Sequence, residues 1–483
     1  MSSAALLASS PLLIISATAI LLMLAIAFRR NHAAAAAISL TGLLAAFISL
    51  PFASSSAEPQ QLTRFLILDL YSYLYMAILL VAAAFVLLFA YDYLNHRQEH
   101  REEFYILILL ATAGSIVLAA SSTFASFFLG LELLSVALYA LIAYIRSERV
   151  SIEAGIKYLV LAASSSATLL FGLALIYAES GSMDLSQFTA ITYPSGQANS
   201  ILLLTGLVLA LTGIGFKLAV VPFHLWTPDV YEGAPLPVTA FIATVSKGGM
   251  FALLLRWLHT ANGELTRATY LILSIIAIAS MFAGNLLALR QSNVKRILAY
   301  SSIAHMGYFL VALIAGGTLG VPAATYYLTA YLVTILGAFG TMTLLSGPRW
   351  EAASLDRYRG LFWQRPLLAA AFTTMLLSLA GIPLTAGFLG KFYVLTAGAS
   401  RSQWVLLFSL VVSSTIGLFY YLRIVAAMVA QPVEHTTIGD SDSQHLPLLG
   451  TVALAVLTGL IFLLGVWPAP LWNLLVQAAR NLG

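Results

Sequence analysis

The sequence predicts an all-α integral membrane protein with about 14 transmembrane helices. Of its 483 residues, 60% are hydrophobic and 9% are charged, whereas about a quarter of the residues in a soluble domain are charged. Mean hydropathy is +0.94, and apolar stretches of about 20 residues, each long enough to cross a hydrocarbon core as a helix, recur along the whole chain. We therefore expect one polytopic membrane domain with no separate soluble domain.

The apolar stretches define the spans, which are numbered in chain order. They are expected to begin near residues 10, 33, 72, 104, 124, 153, 200, 236, 268, 293, 321, 366, 403 and 446. The first resembles a signal peptide in position, but its apolar run is too long and its positive charges follow the run instead of preceding it. We expect this span to be retained.

Positively charged residues in the loops predict the orientation, because Lys and Arg concentrate on the cytoplasmic side. The loops after odd-numbered spans contain fourteen Lys and Arg residues, Lys295 among them, and the opposite side contains five. Both termini are therefore expected to face away from the cytoplasm. The formal charge of +4 comes from these loops, so it does not indicate a nucleic-acid partner.

Several classes of chemistry are excluded for this chain. It has no cysteine, which excludes disulfides, thiolate metal sites and iron–sulfur clusters on it. The sequence also lacks a glycine-rich phosphate loop after a strand and the common hydrolase and metalloprotease motifs. Nucleotide binding and hydrolysis are therefore not predicted.

Five ionisable residues lie inside predicted spans, and none has an opposite charge at helical spacing: Glu132, Lys217, Lys247, His305 and Lys391. A charge at the bilayer centre costs roughly 2.5 to 3.5 kcal/mol, so an intramembrane ionisable residue is by default a functional candidate. Their partners are expected on other helices. Lys157, near the cytoplasmic end of its span, is more simply explained by snorkelling to the interface.

Two spans are interrupted close to these lysines. Pro222 follows Lys217 by five residues, and Gly381, Pro383, Gly387 and Gly390 precede Lys391. Interrupted helices at corresponding positions of two halves are a sequence signal of an ion site in a transporter. The breaks fall in spans 7 and 12, five spans apart, and an odd offset predicts halves of inverted orientation.

The pattern is typical of a proton path. A desolvated lysine can exchange its proton near neutral pH when a carboxylate approaches or withdraws, and His224 and His305 can relay protons. Simpler explanations stay open: a structural ion pair between Glu132 and Lys217, a structural His305, and ordinary proline kinks. Interface anchoring explains a further set of polar residues as well as function does: Asp69, Asn285, Tyr420, Tyr421 and Arg423.

Four segments resemble a known family over essentially the entire chain. They are GFKLAVVPFHLWTPDVYEGAPLPVTAFIATVSKGGMF, FLGLELLS, NVKRILAYSSIAHMGY and LAGIPLTAGFLGKFYVL, and they are similar to the antiporter-like subunits of respiratory complex I and of multisubunit cation/proton antiporters. The resemblance implies two inverted five-helix repeats, spans 4–8 and 9–13, with discontinuous helices 7 and 12. The implied organisation is an N-terminal three-helix unit (1–103), the repeats (104–260 and 266–430) and a C-terminal helix (446–483).

The same resemblance implies roles for individual residues. Glu132 and Lys217 correspond to a coupled pair in span 5 and span 7, and Lys247 connects toward the middle of the protein with His224 nearby. Lys391 corresponds to the residue at the exit side of the path. His305 lies where the subunit type that this chain resembles also has a histidine.

The resemblance further implies that the chain is a proton-translocating subunit in the bacterial inner membrane, with both termini on the periplasmic side. NADH, FMN, iron–sulfur clusters and quinone would bind to partner subunits, and the neighbours would be other antiporter-like and small membrane subunits, lipid, protons and water. The alternatives are a non-transporting scaffold subunit, a sodium/proton antiporter subunit and a hydrogenase membrane subunit.

Overall fold

The protein is a bundle of long apolar helices. The computed structural model describes residues 3–54, 60–63, 65–95, 97, 100–185, 201–259, 265–348, 350–431, 447–480 and 482. Within these ranges, 13 helices are long and apolar enough to cross a membrane, and a further apolar span is interrupted near its middle. The prediction of an all-α, multi-pass membrane protein with about 14 spans is confirmed.

The helix bounds follow the predicted spans, with the largest differences at spans 6 and 11, which begin about four residues early. In chain order the spans are Ser10–Phe28, His32–Ala53, Leu70–Asn95, Glu102–Ala120, Phe124–Ile142, Arg149–Ser180, Ile201–Leu218 with Trp226–Gly233, Leu236–Trp257, Arg267–Leu289, Val294–Ala315, Gly317–Leu345, Pro366–Ala380 with Ala386–Ser400, Trp404–Val429 and Leu448–Val466. Shorter elements are the helices Ser3–Ala8, Leu355–Tyr358, Leu361–Gln364 and Ala469–Arg480 and an antiparallel pair of strands, β1 (Gln60–Thr63) and β2 (Leu66–Leu68).

Contacts between loops support the predicted alternation of sides. After odd-numbered spans, Arg30 lies 2.7 Å from Glu103, and Arg97 lies 3.9 Å from Glu351. On the opposite end, the Ser122 amide donates to the carbonyl of Phe65, and the Trp257 indole donates to the carbonyl of Leu185. Loops that the charge pattern assigns to one side therefore contact one another.

The centre of the bundle is formed by spans 8, 10 and 11. Their most apolar stretches are 100%, 94% and 89% buried, whereas those of spans 1 and 14 are 28% buried. A helix that is apolar on all sides packs in a core or faces lipid, and burial separates the two cases here. Lys247 and His305 both belong to this central group.

Span 7 ends as a helix at Leu218, where Ala219 adopts a positive φ of 60°. The chain continues through Pro222 and re-forms a helix at Trp226, whose indole donates a 3.0 Å hydrogen bond to the carbonyl of Phe216. The Val221 amide donates to Ser280 of span 9 at 2.9 Å. Because these groups find partners outside the helix, the break is compatible with the membrane interior.

Span 12 breaks over fewer residues than expected. Its first half ends at Ala380, Gly381 has φ 85°, and the second half begins at Ala386. The expectation that Gly387 and Gly390 also interrupt the helix is wrong, because both lie within the second half-helix. A side chain at Gly387 would lie 1.9 Å from the carbonyl oxygen of Ser378, so this glycine permits close packing and not a break.

Small residues also allow spans 9 and 10 to approach closely, as is common between membrane helices. A Cβ at Gly284 would lie 2.6 Å from both the Ala304 nitrogen and the Tyr300 carbonyl oxygen. Since these are backbone atoms, a side chain at this position cannot be accommodated by rotating a neighbour.

We expect Gly284→Ala to destabilise the protein by about 1–3 kcal/mol, because overpacking forces the two helices apart. Gly459→Ala is the matched control, since a Cβ there meets no atom within 4 Å. Thermal denaturation of the purified protein measures both variants. Equal melting temperatures for the two would contradict the close approach of spans 9 and 10.

Candidate functional site

Lys217 lies in the last turn of the first half of span 7 and is 4% exposed. Its ammonium donates to the Ser135 hydroxyl of span 5 at 2.7 Å and to Tyr158 of span 6 at 3.4 Å. It also lies 5.3 Å from the centre of the Tyr158 ring. The C-terminal end of a helix carries partial negative charge, which favours a cation in this turn.

Glu132, the expected partner of Lys217, is not in direct contact with it. Ser135, one turn further along span 5, receives the lysine instead. Glu132 makes no ion pair in the described part of the chain, and its Oε1 atom is buried without a hydrogen-bond partner. Span 5 therefore contacts Lys217 through Ser135 and also carries Glu132, so a change of the Glu132 rotamer would alter the field at Lys217.

Lys247 is 1% exposed and follows a π-helical segment, Ile242–Ser246, in span 8. Its ammonium donates to Ser302 of span 10 at 2.6 Å, and Ser302 is in turn 2.6 Å from the Tyr331 hydroxyl of span 11. π-helical segments in α-helices are frequent at functional sites. The lysine thus sits at the junction of the three most buried spans.

His305 of span 10 contacts tyrosines of spans 11 and 13. Its Nδ1 atom is 2.7 Å from the Tyr327 hydroxyl, and its Nε2 atom is 3.3 Å from the hydroxyl of Tyr421. The imidazole packs against Tyr331, the partner of Ser302, with ring centres 5.2 Å apart. Both ring nitrogens are therefore bonded to hydroxyls, which can donate or accept.

Lys391 lies in the second half of span 12 and reaches back to the end of the first half. Its ammonium donates to the carbonyls of Leu379 at 2.9 Å and Ala380 at 2.8 Å, and to the Ser414 hydroxyl at 2.7 Å. The two carbonyls are the unpaired acceptors of a helix C-terminus, where a cation is stabilised. Lys391 also borders a cavity of about 280 Å³.

His224 lies in the break of span 7 and is 7% exposed. Its Nδ1 atom is buried without a hydrogen-bond partner among the described residues, so the structure does not join it to Lys217 or Lys247 by direct hydrogen bonds.

Lys157 is 46% exposed and pairs with Glu153 at 2.8 Å and Asp229 at 3.0 Å, as an interfacial lysine is expected to do.

The hydroxyl groups were not identified from the sequence. Ser135, Ser302 and Ser414 each bind one buried lysine, and Tyr308 lies beneath Lys391 with its ring centre 5.3 Å from the ammonium. A serine or tyrosine in an apolar span carries no distinctive signal, because its partner belongs to another helix. Asn285, Tyr420 and Tyr421, for which anchoring was an equal alternative, are buried and hydrogen-bonded in the same region.

A second group of charges forms ion pairs at the end of the bundle assigned to the cytoplasm. Arg296 contacts Asp229 at 2.9 Å and Glu232 at 2.7 Å. Lys295, counted with the loops from its sequence, instead lies in the first turn of span 10 and is 1% exposed. It is paired with Glu351 at 2.6 Å, because the loop after span 11 folds over it.

The chain matches the family described as "NADH:quinone oxidoreductase/Mrp antiporter, TM" over residues 121–417. It belongs to this family. The match includes the positions of Glu132, Lys217, Lys247, His305 and Lys391, so every buried ionisable residue singled out above lies within the family region. The resemblance stated from the sequence is confirmed.

Relatives of this antiporter family extend the match to almost the whole chain. NADH-quinone oxidoreductase subunit N of Ectopseudomonas mendocina (strain ymp) is 49% identical over 92% of the chain and 90% of its own length. A chain of respiratory complex I from Thermus thermophilus is 32% identical, with a TM-score of 0.81 over 96% of this chain and 98% of that one.

Two more distant solved structures share the fold. A chain of the archaeal membrane-bound sulfane sulfur reductase is 24% identical and superposes with a TM-score of 0.82, covering 99% of this chain and 97% of that chain. A chain of the Mrp complex from Dietzia sp. DQ12-45-1b is 20% identical, with a TM-score of 0.83 and coverage of 100% and 98%. The antiporter-like fold therefore persists where most side chains differ.

We expect Gly381→Ala to destabilise the protein more than Gly181→Ala. Both glycines have positive φ, 85° and 68°, so both substitutions carry a backbone cost of about 1–2 kcal/mol. A Cβ at Gly381 would in addition lie 2.9 Å from the Lys391 side chain, whereas at Gly181 it meets nothing. Thermal denaturation compares the two variants, and an equal loss would show that Gly381 does not position Lys391.

Proposed function

We propose that this chain is a proton-translocating membrane-arm subunit of a bacterial NADH-quinone oxidoreductase. The observation that carries the proposal is that three buried lysines, Lys217, Lys247 and Lys391, are bonded to hydroxyls and carbonyls and make no ion pair in the described part of the chain. The 49% identity to a subunit N supports the assignment to this complex. Each lysine is a site that can hold or release a proton.

Proton transfer between these sites would use the hydroxyl groups around them. From Lys247 the contacts run through Ser302 and Tyr331 to His305, and from His305 past Tyr308 to Lys391. Hydroxyls and imidazole can donate and accept, and water can complete the gaps. No such series of contacts joins Lys217 to Lys247 among the described residues, since Lys217 contacts Tyr158 and Lys247 lies near Tyr231, so transfer there requires water.

Control of the path is proposed to act at Glu132. The residue is half-buried on a face of span 5 that also carries the exposed side chains of Leu129 and Val136. A neighbouring membrane subunit packed on that face could shift the carboxylate toward or away from Ser135 and Lys217. An approaching negative charge favours the protonated lysine, and its withdrawal favours proton release.

The remaining expectations belong to the same proposal. NADH, FMN, iron–sulfur clusters and quinone bind to partner subunits, which is supported by the absence of cysteine ligands in this chain. The termini lie on the periplasmic side of the inner membrane, which is supported by the fourteen positive charges in the loops of the opposite side. Residues 104–260 and 266–430 form two inverted repeats, each with one broken span that contains a buried lysine.

Lys217→Ala and Glu132→Ala are expected to reduce coupled proton pumping by about tenfold or more, because a proton carrier or its control is lost. The oxidation of NADH with an artificial electron acceptor is expected to stay normal in the assembled complex. Lys157→Ala is the matched control, since exposed ion pairs contribute little, and should pump normally. Normal pumping by both site variants would remove the proposed function.

Lys247→Arg separates proton transfer from a scaffold role. Arginine keeps the positive charge but does not release its proton in proteins, so a scaffold that needs only the charge would retain coupled activity. We expect the variant to assemble and to lose proton pumping, measured as acidification per NADH oxidised. Lys217→Arg is expected to give the same result, and wild-type pumping in both would favour the scaffold.

A further inference from the structure

The junction between the short helix of span 7 and the start of span 8 is held by an ion pair that the proposed proton path does not use. Lys295 of span 10 donates to the carbonyl of Ala234 at 2.7 Å and to Glu351 at 2.6 Å. Glu351, from the loop after span 11, accepts a 3.1 Å hydrogen bond from the Leu236 amide. We call Lys295, Glu351 and the two backbone groups the junction clamp.

The charges of the clamp match the dipoles of the helix ends that they contact. Ala234 caps the C-terminus of the helix Trp226–Gly233, and Leu236 is the first residue of span 8. A helix C-terminus stabilises a cation and an N-terminus stabilises an anion. The ammonium of Lys295 and the carboxylate of Glu351 each occupy the favourable end, with Pro235 between them providing no competing N–H group.

A cavity lies next to the clamp. A cavity of about 400 Å³ is lined by residues of span 3, the end of span 11 and span 14, among them Tyr93, Arg97 and Ser346. The Tyr93 hydroxyl donates to Glu351, and an Arg97 nitrogen lies 3.9 Å from it. Glu351 therefore contacts the wall of the cavity on one side and the junction on the other.

The groups around Glu351 favour its ionised form. Burial by itself raises the pKa of a carboxyl group, but the Lys295 ammonium, the hydrogen bonds from Lys295 and Tyr93, and Arg97 together lower the pKa of Glu351 below its ordinary value. The buried Tyr358 is a further titratable group that interacts with Glu351. Because the pKa of Glu351 is lowered on folding, the ionised carboxylate contributes fully to folding stability at neutral pH. This contribution is lost only as the pH falls through the folded-state pKa.

The two segments held by the clamp also contain residues that lie close to Lys247. Two helical turns beyond Lys295 on span 10 is Ser302, which binds the Lys247 ammonium at 2.6 Å. Three residues before Ala234 is Tyr231, whose hydroxyl is 3.5 Å from Ser302 and whose ring centre is 5.7 Å from the ammonium. Movement of the junction would therefore displace two of the groups around Lys247.

We propose that Glu351, acting through Lys295, is a positioning residue for proton transfer at Lys247, and that the junction clamp keeps the cavity closed from the Tyr231–Ser302–Lys247 group. The role of Glu351 in proton transfer rests on the proposed function of the chain, whereas the closure of the cavity does not. Releasing the clamp admits water from the cavity and lets protons bypass the controlled path.

A reporter thiol at position 239 tests the closure directly. The chain has no cysteine, and Thr239 is fully buried with its hydroxyl bonded to the carbonyls of Tyr231 and Ala234, so Thr239→Cys is a unique reporter on this chain. In the assembled complex we expect Glu351→Gln to increase the labelling of this thiol by N-ethylmaleimide about tenfold or more. The substitution leaves the buried Lys295 ammonium without its paired charge, and this favours local opening of the junction.

The same Glu351→Gln variant is expected to lower the number of protons pumped per NADH oxidised while the reaction with an artificial acceptor is unchanged. Glu153→Gln is the matched control, because that carboxylate is 63% exposed and bonds only to Lys157 in the described structure. It should alter neither labelling nor proton yield. Unchanged labelling of the Thr239→Cys reporter in the Glu351→Gln background overturns the inference, whatever happens to pumping.

A second variant covers the case in which Glu351→Gln does not assemble. Glu351→Asp keeps the charge, but its shorter side chain cannot reach Lys295 and the Leu236 amide together, so labelling should increase by a smaller factor. Labelling equal to that of the parent overturns the inference here too. Failure of the proposed function is distinguishable, because it would appear as normal pumping by Lys217→Arg and Lys247→Arg while the labelling result stands by itself.

Discussion

The burial of three ammonium groups in an apolar bundle is the constraint on which the rest of the structure depends. A charge or an unpaired donor in a hydrocarbon interior costs several kcal/mol, so each lysine must be supplied with acceptors by other helices. In this protein those acceptors are serine and tyrosine hydroxyls and the free carbonyls of a broken helix. The positions of spans 5, 10 and 13 around the lysines follow from that requirement.

The two broken spans meet the requirement in different ways. At span 7 the lysine is in the half-helix that ends, and its acceptor comes from a neighbour, Ser135. At span 12 the lysine is in the half-helix that begins, and it returns to the carbonyls of the half that ended. In both, a residue of positive φ lies at the break, Ala219 in span 7 and Gly381 in span 12, and the chain turns there.

Two kinds of charged site in the described part of the chain differ in their partners. At the end assigned to the cytoplasm, Arg296 and Lys295 are paired with carboxylates at hydrogen-bonding distance, and these pairs join the loops to the helices. In the middle of the bundle the lysines have neutral partners, so gain or loss of a proton breaks no ion pair. Paired charges are suited to holding structure, and unpaired titratable groups are suited to proton transfer.

The sequence by itself determined the class of fold, the approximate number of spans, the two breaks and the buried ionisable residues, because apolar length, proline, glycine and charge are local signals in an apolar chain. It did not determine the partners: Ser135 in place of a direct contact with Glu132, the tyrosines around His305, or the burial of Lys295 beneath Glu351. Those contacts join residues from about 20 to more than 100 positions apart. Only the packing of helices against one another decides them, since an isolated span with a serine or tyrosine is equally compatible with a face toward lipid, a partner subunit or the core.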